Sequence, residues 1–300
     1  MFRNVFIGVD GSPTGRDAIA LARALAEPDA RLTLAHVSPG PPTPHRAANL
    51  DFDAVMRADA QRLLEAEREA TGVGADLISI SAPSIGRGLH ALAEEHAADL
   101  LVVGSTSRGL AGRVLVGDDT RASLNGAPCA VAVAPLGYVA QTGGFSRIGV
   151  GYDFSGESQA ALEVARALAS RNRSKLSVLH VVPLPTAGYL APMPGTWGEI
   201  LEEDRAAAQQ RVSALEGVEA LAVYGSTSEE LAVFGSSLDL LVVGSRSYGP
   251  MRRLVFGSTS SRLARRARCP LLVLPRSAIV NGSSEEEDST HSKLPAGVAS

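Results

Sequence analysis

The chain states one pattern twice. Leu100-Leu101-Val102-Val103-Gly104-Ser105 returns as Leu240-Leu241-Val242-Val243-Gly244-Ser245, and a further glycine, Gly117 or Gly257, follows each first glycine by 13 residues. Cys129 and Cys269 close the two copies at the same offset of 140. Upstream, Gly8-Val9-Asp10 matches Gly151-Tyr152-Asp153 at an offset of 143, and His36-Val37 matches His180-Val181 at 144. A nearly constant offset across separated blocks marks a duplication, and a period this long gives tandem domains rather than a solenoid or propeller.

The 300 residues are 45% hydrophobic, enough for two domains that each bury a core. The expected division is residues 1–137, residues 145–276, and a Gly-, Ser- and acid-rich tail over 277–300 that reads as disordered. The formal charge of -4 lies mostly in that tail, through Glu285, Glu286, Glu287 and Asp288. With no basic surplus, a nucleic-acid partner is not expected. No apolar run approaches the ~18 residues of a membrane helix, and the first residues lack a secretory leader pattern, which points to the cytoplasm. Two cysteines without a CxxC spacing exclude a disulfide scaffold, and no cluster with metal-ligand spacing occurs.

Each half alternates short β-branched runs with amphipathic stretches. In the first, strands are predicted at Val5–Val9, Leu32–Val37, Asp76–Ser81, Leu100–Val103 and Ala130–Val133. Helices fall at Pro13–Leu25, 51–71, Gly88–Glu95 and 118–126. The second half has strands near 147–152, 176–182, 218–224, 239–243 and 271–274, with helices near 156–170, 198–215, 227–235 and 257–267. Ser12 before Pro13 is a helix start, a capping oxygen followed by proline at the first helical position. Five strands alternating with four helices give a doubly wound parallel sheet in each half. Leu136–Phe145 reads as a short exposed linker.

In such folds ligands meet the carboxyl ends of the strands. Asp10 and Asp153 end the first strands there, Val37 and Val181 the second, and Gly104 and Gly244 the fourth. A glycine loop running into a helix N-terminus offers free amides to phosphate. The glycines alone are weak evidence, because the chain has no GK[ST] Walker loop, no GxGxxG after the first strands and no GxSxG elbow. Asp10 and Asp153 equally suit turns closed by aspartate. His36 and His180, in apolar strands, read as core histidines rather than catalytic groups. Arg246, Arg252 and Arg253 suit either a phosphate or a solvated loop, as do Arg108 and Arg113 in the first half.

Both halves resemble domains of the universal stress protein (UspA) family, and the whole is similar to its tandem form over about residues 3–275. The resemblance implies a Rossmann-like fold of the adenine nucleotide alpha-hydrolase kind, with strand order 3-2-1-4-5. It also implies that the final strands of the two halves pair, so that one chain mimics a dimer. Nucleotide-binding members follow Gly-x2-Gly-x9-Gly-[Ser/Thr] with an Asp ending the first strand. On this chain the pattern falls, in the second half, on Gly244, Ser247, Gly257, Ser258 and Thr259, with Gly151, Asp153, Val181 and Val243 beside them. In the first half it falls on Gly104, Ser107 and Gly117, with Gly8, Asp10, Val37 and Val103. The implied ligand is ATP, with or without Mg²⁺, or another adenine nucleotide. Ser107 and Ser247 replace a family glycine, and Asp118 stands where the family has a hydroxyl. Two unit charges ~4 Å apart cost about 4 kcal/mol at an effective dielectric of 20, so the second half is the better expected site.

The loops hold no P-loop lysine, general base or paired metal-holding carboxylates of the kind phosphoryl transfer uses, so any ATP hydrolysis is expected to be slow. The expected function is a nucleotide-responsive stress-response protein acting on a regulatory partner, with further homodimerisation open. The competing expectation is an interaction scaffold of the same fold that binds no nucleotide.

Overall fold

The computed structural model describes residues 1–39, 49–105, 125–140, 144–183, 197–245, 262–263 and 267–275. In the first half these form β1 (Phe2–Gly8), α1 (Pro13–Leu25), β2 (Ala26–Pro39), α2 (Asn49–Thr71), β3 (Asp76–Ala82), α3 (Ile85–Glu95), β4 (Leu100–Gly104) and β5 (Ala130–Ala134). A 3₁₀ turn over Tyr138–Ala140 leads to the second half. There the elements are β6 (Arg147–Gly151), α4 (Gly156–Asn172), β7 (Lys175–Pro183), α5 (Trp197–Ser213), β8 (Glu219–Gly225), α6 (Thr227–Gly235), β9 (Leu240–Gly244) and β10 (Leu271–Leu274). The helices expected near 118–126 and 257–267 fall largely outside the described residues, as does the tail 277–300.

The strands form one sheet of ten in the order β3-β2-β1-β4-β5-β10-β9-β6-β7-β8. Each half has the expected order 3-2-1-4-5 with parallel neighbours. The halves meet through an antiparallel pairing of β5 with β10, in which Leu271 faces Val133, Leu272 faces Ala132 and Val273 faces Val131. One difference from the sequence reading concerns β2. It begins at Ala26, directly after α1, and its register against β1 shifts between Phe2 and Asn4 before settling at Leu32–Ala35.

Both seam strands are buried on both faces, which is why they read as continuous apolar runs instead of alternating ones. Ala130, Ala132, Ala134, Leu272 and Leu274 point into one core, with α1, α2 and α4 above it. Val131, Val133, Leu271 and Val273 point into the other, beneath α3 and α6. Each core runs through both halves, so the apolar interior is divided by the sheet rather than by the duplication. A smaller third cluster, Ala208, Val212 and Ala222, lies in the second half alone.

The linker exposes Gly137, Val139 and Gly144, as its composition suggested, but two of its aromatic side chains are anchored in the core. Tyr138 is 6% exposed and Phe145 is 2% exposed, both within the first core. Asp17, buried on α1, accepts hydrogen bonds from the Gly137 amide (2.7 Å) and the Val139 amide (2.8 Å). Burial, with Asp239 secondary, pushes the Tyr138 phenol up to about 12. Across the same seam the Arg171 guanidinium of α4 donates to the carbonyls of Ala24 (2.7 Å), Ala26 (3.0 Å) and Leu25 (3.2 Å), the last turn of α1. A cation there satisfies orphan carbonyls and opposes the negative end of the helix dipole.

Candidate functional site

The carboxyl ends of β6, β7 and β9 open onto a cavity of about 680 Å³ in the second half. Strand-end geometry builds its floor. Tyr152 continues the ladder with its amide on the Leu179 carbonyl, after which Asp153 leaves the sheet. Asp153 Oδ1 accepts from the Ser155 amide (3.1 Å) and from the Ser155 hydroxyl. Ser155 in turn caps α4, its hydroxyl oxygen accepting from the Ser158 amide at 3.2 Å. The cavity therefore sits at the N-termini of α4 and α6, where helix dipoles are positive.

The cavity brings together Gly151, Asp153, Val181, Val243 and Gly244, five of the nine residues that the sequence assigned to this half. Ser247, Gly257, Ser258 and Thr259 lie outside the described residues. Sequence reasoning missed Glu157, Ser158, Thr227 and Leu231, which line the same cavity. Glu157 corresponds to Thr14 in the first copy, and a repeat comparison that scores only shared residues passes over it.

Gly244 has a packing reason that needs no ligand. A Cβ there would lie 2.7 Å from the Glu157 backbone carbonyl, and a Cβ on Gly104 would lie 2.2 Å from the Thr14 carbonyl oxygen. The first turn of α4, or of α1, rests directly on the glycine that opens each loop. Both glycines are demanded by close helix approach, whatever else they do.

His180 is half-buried and lines the cavity. Its Nδ1 lies 2.8 Å from the Tyr152 carbonyl, and His36 Nδ1 lies 2.9 Å from that of Val9. A carbonyl only accepts, so each ring carries its proton on Nδ1 and presents Nε2 the other way. The role is to pin the strand end from the neighbouring strand, close to the core-histidine reading. Beside it lies an aromatic group that the first half lacks. Phe154 has φ +64°, packs 4.9 Å from His180 and 5.2 Å from Tyr152, and lies under Arg211 at 3.9 Å. Gly11, at φ +77°, holds the matching position, so the turn keeps its left-handed residue while Phe154 fills it with a ring despite the strain.

The first half repeats the frame without matching the wall. Asp10 Oδ1 accepts from the Ser12 amide (3.0 Å) and the Ser12 hydroxyl (2.5 Å). Ser12 stands at the cap position, yet its hydroxyl serves Asp10 and Thr14 rather than an α1 amide. The larger difference is at Val37. Gly88 of α3 comes so close that a Cβ on it would lie 2.5 and 2.9 Å from the two Val37 methyls. In the second half the corresponding α6 residue is Glu230, and Val181 faces the cavity together with Leu231. Gly8, Val103 and Gly104 keep the positions of Gly151, Val243 and Gly244, while Ser107, Gly117 and Asp118 lie outside the described residues.

Burial pushes both thiols, Cys129 and Cys269, up to about 12, which leaves them as packed apolar groups. Among the described residues no group of three or more His, Cys, Asp or Glu side chains could hold a metal ion. No described helix is long and apolar enough to cross a membrane.

Two doubly wound units joined by their last strands, each with a glycine ending its fourth strand, define a tandem α/β protein. The universal stress protein family model matches residues 1–135 and again 144–275, and the chain belongs to that family. A universal stress protein of Mycobacterium tuberculosis is 29% identical over 237 residues, covering 74% of this chain and 79% of its own. One from Mycolicibacterium smegmatis is 28% identical over 287 residues, covering 90% and 96%. The crystal structure of a universal stress protein from Archaeoglobus fulgidus superposes with a TM-score of 0.63 at 18% identity, over 91% of this chain and 98% of that one, which speaks for the fold.

Proposed function

We propose that the chain is an adenine-nucleotide-binding regulatory protein of the stress response, with the second half as its more competent site. The observation that carries this reading is the 680 Å³ cavity at the strand ends of the second half. It offers apolar walls for a base (Val181, Leu231, Val243) beside a polar rim of Asp153, Ser155 and Ser158. Those residues fit the nucleoside part of such a ligand, Asp153 holding ribose hydroxyls and the valines flanking the base. The loop with Ser247, Gly257, Ser258 and Thr259 would receive phosphate, with Mg²⁺ where the ligand is a triphosphate. Val37 and Val181 are buried alike, at 5% and 7% exposure, so the preference for the second half rests on its cavity and on Asp118 in the first half. We place the units at 1–137 and 145–276 and the protein in the cytoplasm, where occupancy would select a regulatory partner or a second copy of the chain.

The test is to purify the protein without added nucleotide, denature it, and quantify the released small molecules by chromatography and mass spectrometry. About one adenylate per chain is expected. Val181→Phe, which fills the cavity, abolishes that adenylate. Two adenylates per chain would refute the preference between halves. None, with no binding of added Mg-ATP, AMP or adenosine, would overturn the nucleotide reading in favour of an interaction scaffold.

A further inference from the structure

Among the described residues β8 is the last strand on its side of the sheet, hydrogen-bonded to β7 alone. Its outer side should therefore present bare amides and carbonyls, a template for any further strand. A side chain occupies it instead. Gln209, half-buried on α5, accepts from the Ala222 amide through Oε1 (2.8 Å) and donates through Nε2 to the Ala220 carbonyl (3.0 Å). Nε2 also donates to the Ser213 hydroxyl at 2.9 Å, one turn along α5, which holds the carboxamide in this orientation. Ala208 and Val212 pack on Ala222 and seat α5 against the strand, so that Gln209 reaches the rim. In a parallel pair one residue takes the carbonyl and the amide that flank its opposite number. The carboxamide takes that same pair of groups, and it stands in for one residue of a further strand.

The composition of β8 explains why this rim needs closing. Val223 and Tyr224 favour a strand, proline and lysine are absent, and Leu221 is 51% exposed on the face opposite Ala222. An open edge of that kind pairs readily with its own copy. At the other rim, β3 exposes no large apolar side chain and starts with the Arg31–Asp76 ion pair (2.7 Å). We propose that Gln209 guards the edge of β8 and keeps it from pairing with β8 of a second copy of the chain. Its carboxamide competes for the same two backbone groups as an incoming strand. Being tethered to α5, it holds them at any protein concentration. The role is independent of nucleotide binding.

Sedimentation velocity of the full chain over a series of concentrations tests this. Wild type should keep one sedimentation coefficient across the series. Gln209→Ala should shift to larger species as concentration rises, with its far-UV circular dichroism unchanged, since alanine favours a helix at least as well as glutamine. At the lowest concentration, amide exchange at Ala222 should speed up by about tenfold, the worth of one ordinary hydrogen bond. The double variant Gln209→Ala/Leu221→Lys should return to the wild-type coefficient, because a lysine on an exposed edge opposes pairing. Unchanged sedimentation of Gln209→Ala despite faster exchange at Ala222 would overturn the guarding role, leaving a carboxamide that only satisfies a buried amide. Larger species that persist in the double variant would overturn it as well, by placing the contact elsewhere. Loss of the far-UV signal in Gln209→Ala would make Gln209 a support of α5 and not a guard.

Discussion

Removing the Asp17 carboxylate should loosen the joint between the two halves. Asp17 is 2% exposed and receives two short amide hydrogen bonds from the start of the 3₁₀ turn. A hydrogen bond to a charged group contributes about 1.5–3 kcal/mol. Gly137 and Val139 are themselves exposed, so their amides can turn to water once the carboxylate is gone, which argues for the lower end. Relief from burying a charge offsets part of the loss as well. Together these give about 2 kcal/mol for Asp17→Ala. For Asp17→Asn, which keeps one neutral acceptor, they give roughly half of that. Urea denaturation followed by circular dichroism measures the loss, and a spectrophotometric titration follows Tyr138 in parallel. The Tyr138 phenol, held at about 12 by burial, should titrate lower in Asp17→Ala because its turn is no longer pinned. If Asp17→Ala costs less than about 0.5 kcal/mol, the range of an ordinary surface substitution, the linker is held by Tyr138 and Phe145 alone and the electrostatic account is wrong. A single transition with unchanged slope is expected, because both cores cross the seam.

Further outcomes follow from other contacts. Arg171→Ala should cost about 1–2 kcal/mol, through lost charged hydrogen bonds to the α1 terminus, and amide exchange around Ala24–Ala26 should speed up in step. Gly104→Ala should destabilise by about 3 kcal/mol or block folding, since the new methyl meets backbone at 2.2 Å and backbone cannot step aside. Gly74→Ala, with nothing within 4 Å of the added carbon, serves as the near-neutral control in the same thermal melts. Both thiols should resist a disulfide reagent until the chain unfolds. They also make stability fall as pH rises from the ordinary thiol value of 9.0 towards 12, because the unfolded chain releases those protons first. A pH series of denaturation midpoints, with Cys129→Ala and Cys269→Ala flattening the fall, checks the sign.

The duplication made most of the fold legible. Comparing copies fixes the alternation of elements, Ser12-Pro13 starts α1 at the residue expected, and the apolar runs at 130–134 and 271–274 show that the seam strands are buried on both faces. Misread features are those where tertiary contact overrides a local signal. No turn residue separates Leu25 from Ala26, yet β2 begins there, because its early residues pair beside Phe2. The anchoring of the linker through Tyr138, Phe145 and Asp17 was not legible, because those partners are distant in sequence. In the site, Asp153 and Val181 were visible because the copies agree on them. Glu157 and Gly88 were not, because the copies differ there and only packing shows what the difference does.

The antiparallel pairing of β5 with β10 puts the strand ends of the two halves on opposite rims of the sheet. In a dimer of identical chains a substitution is made twice, so a change that closes one rim closes the other. Joining the subunits in one chain releases that constraint. One half sets Gly88 against its valine and Thr14 at its helix start, while the other carries Glu230 and Glu157 at those places. The seam that both need is left untouched, and symmetry becomes a starting point from which each rim is free to diverge.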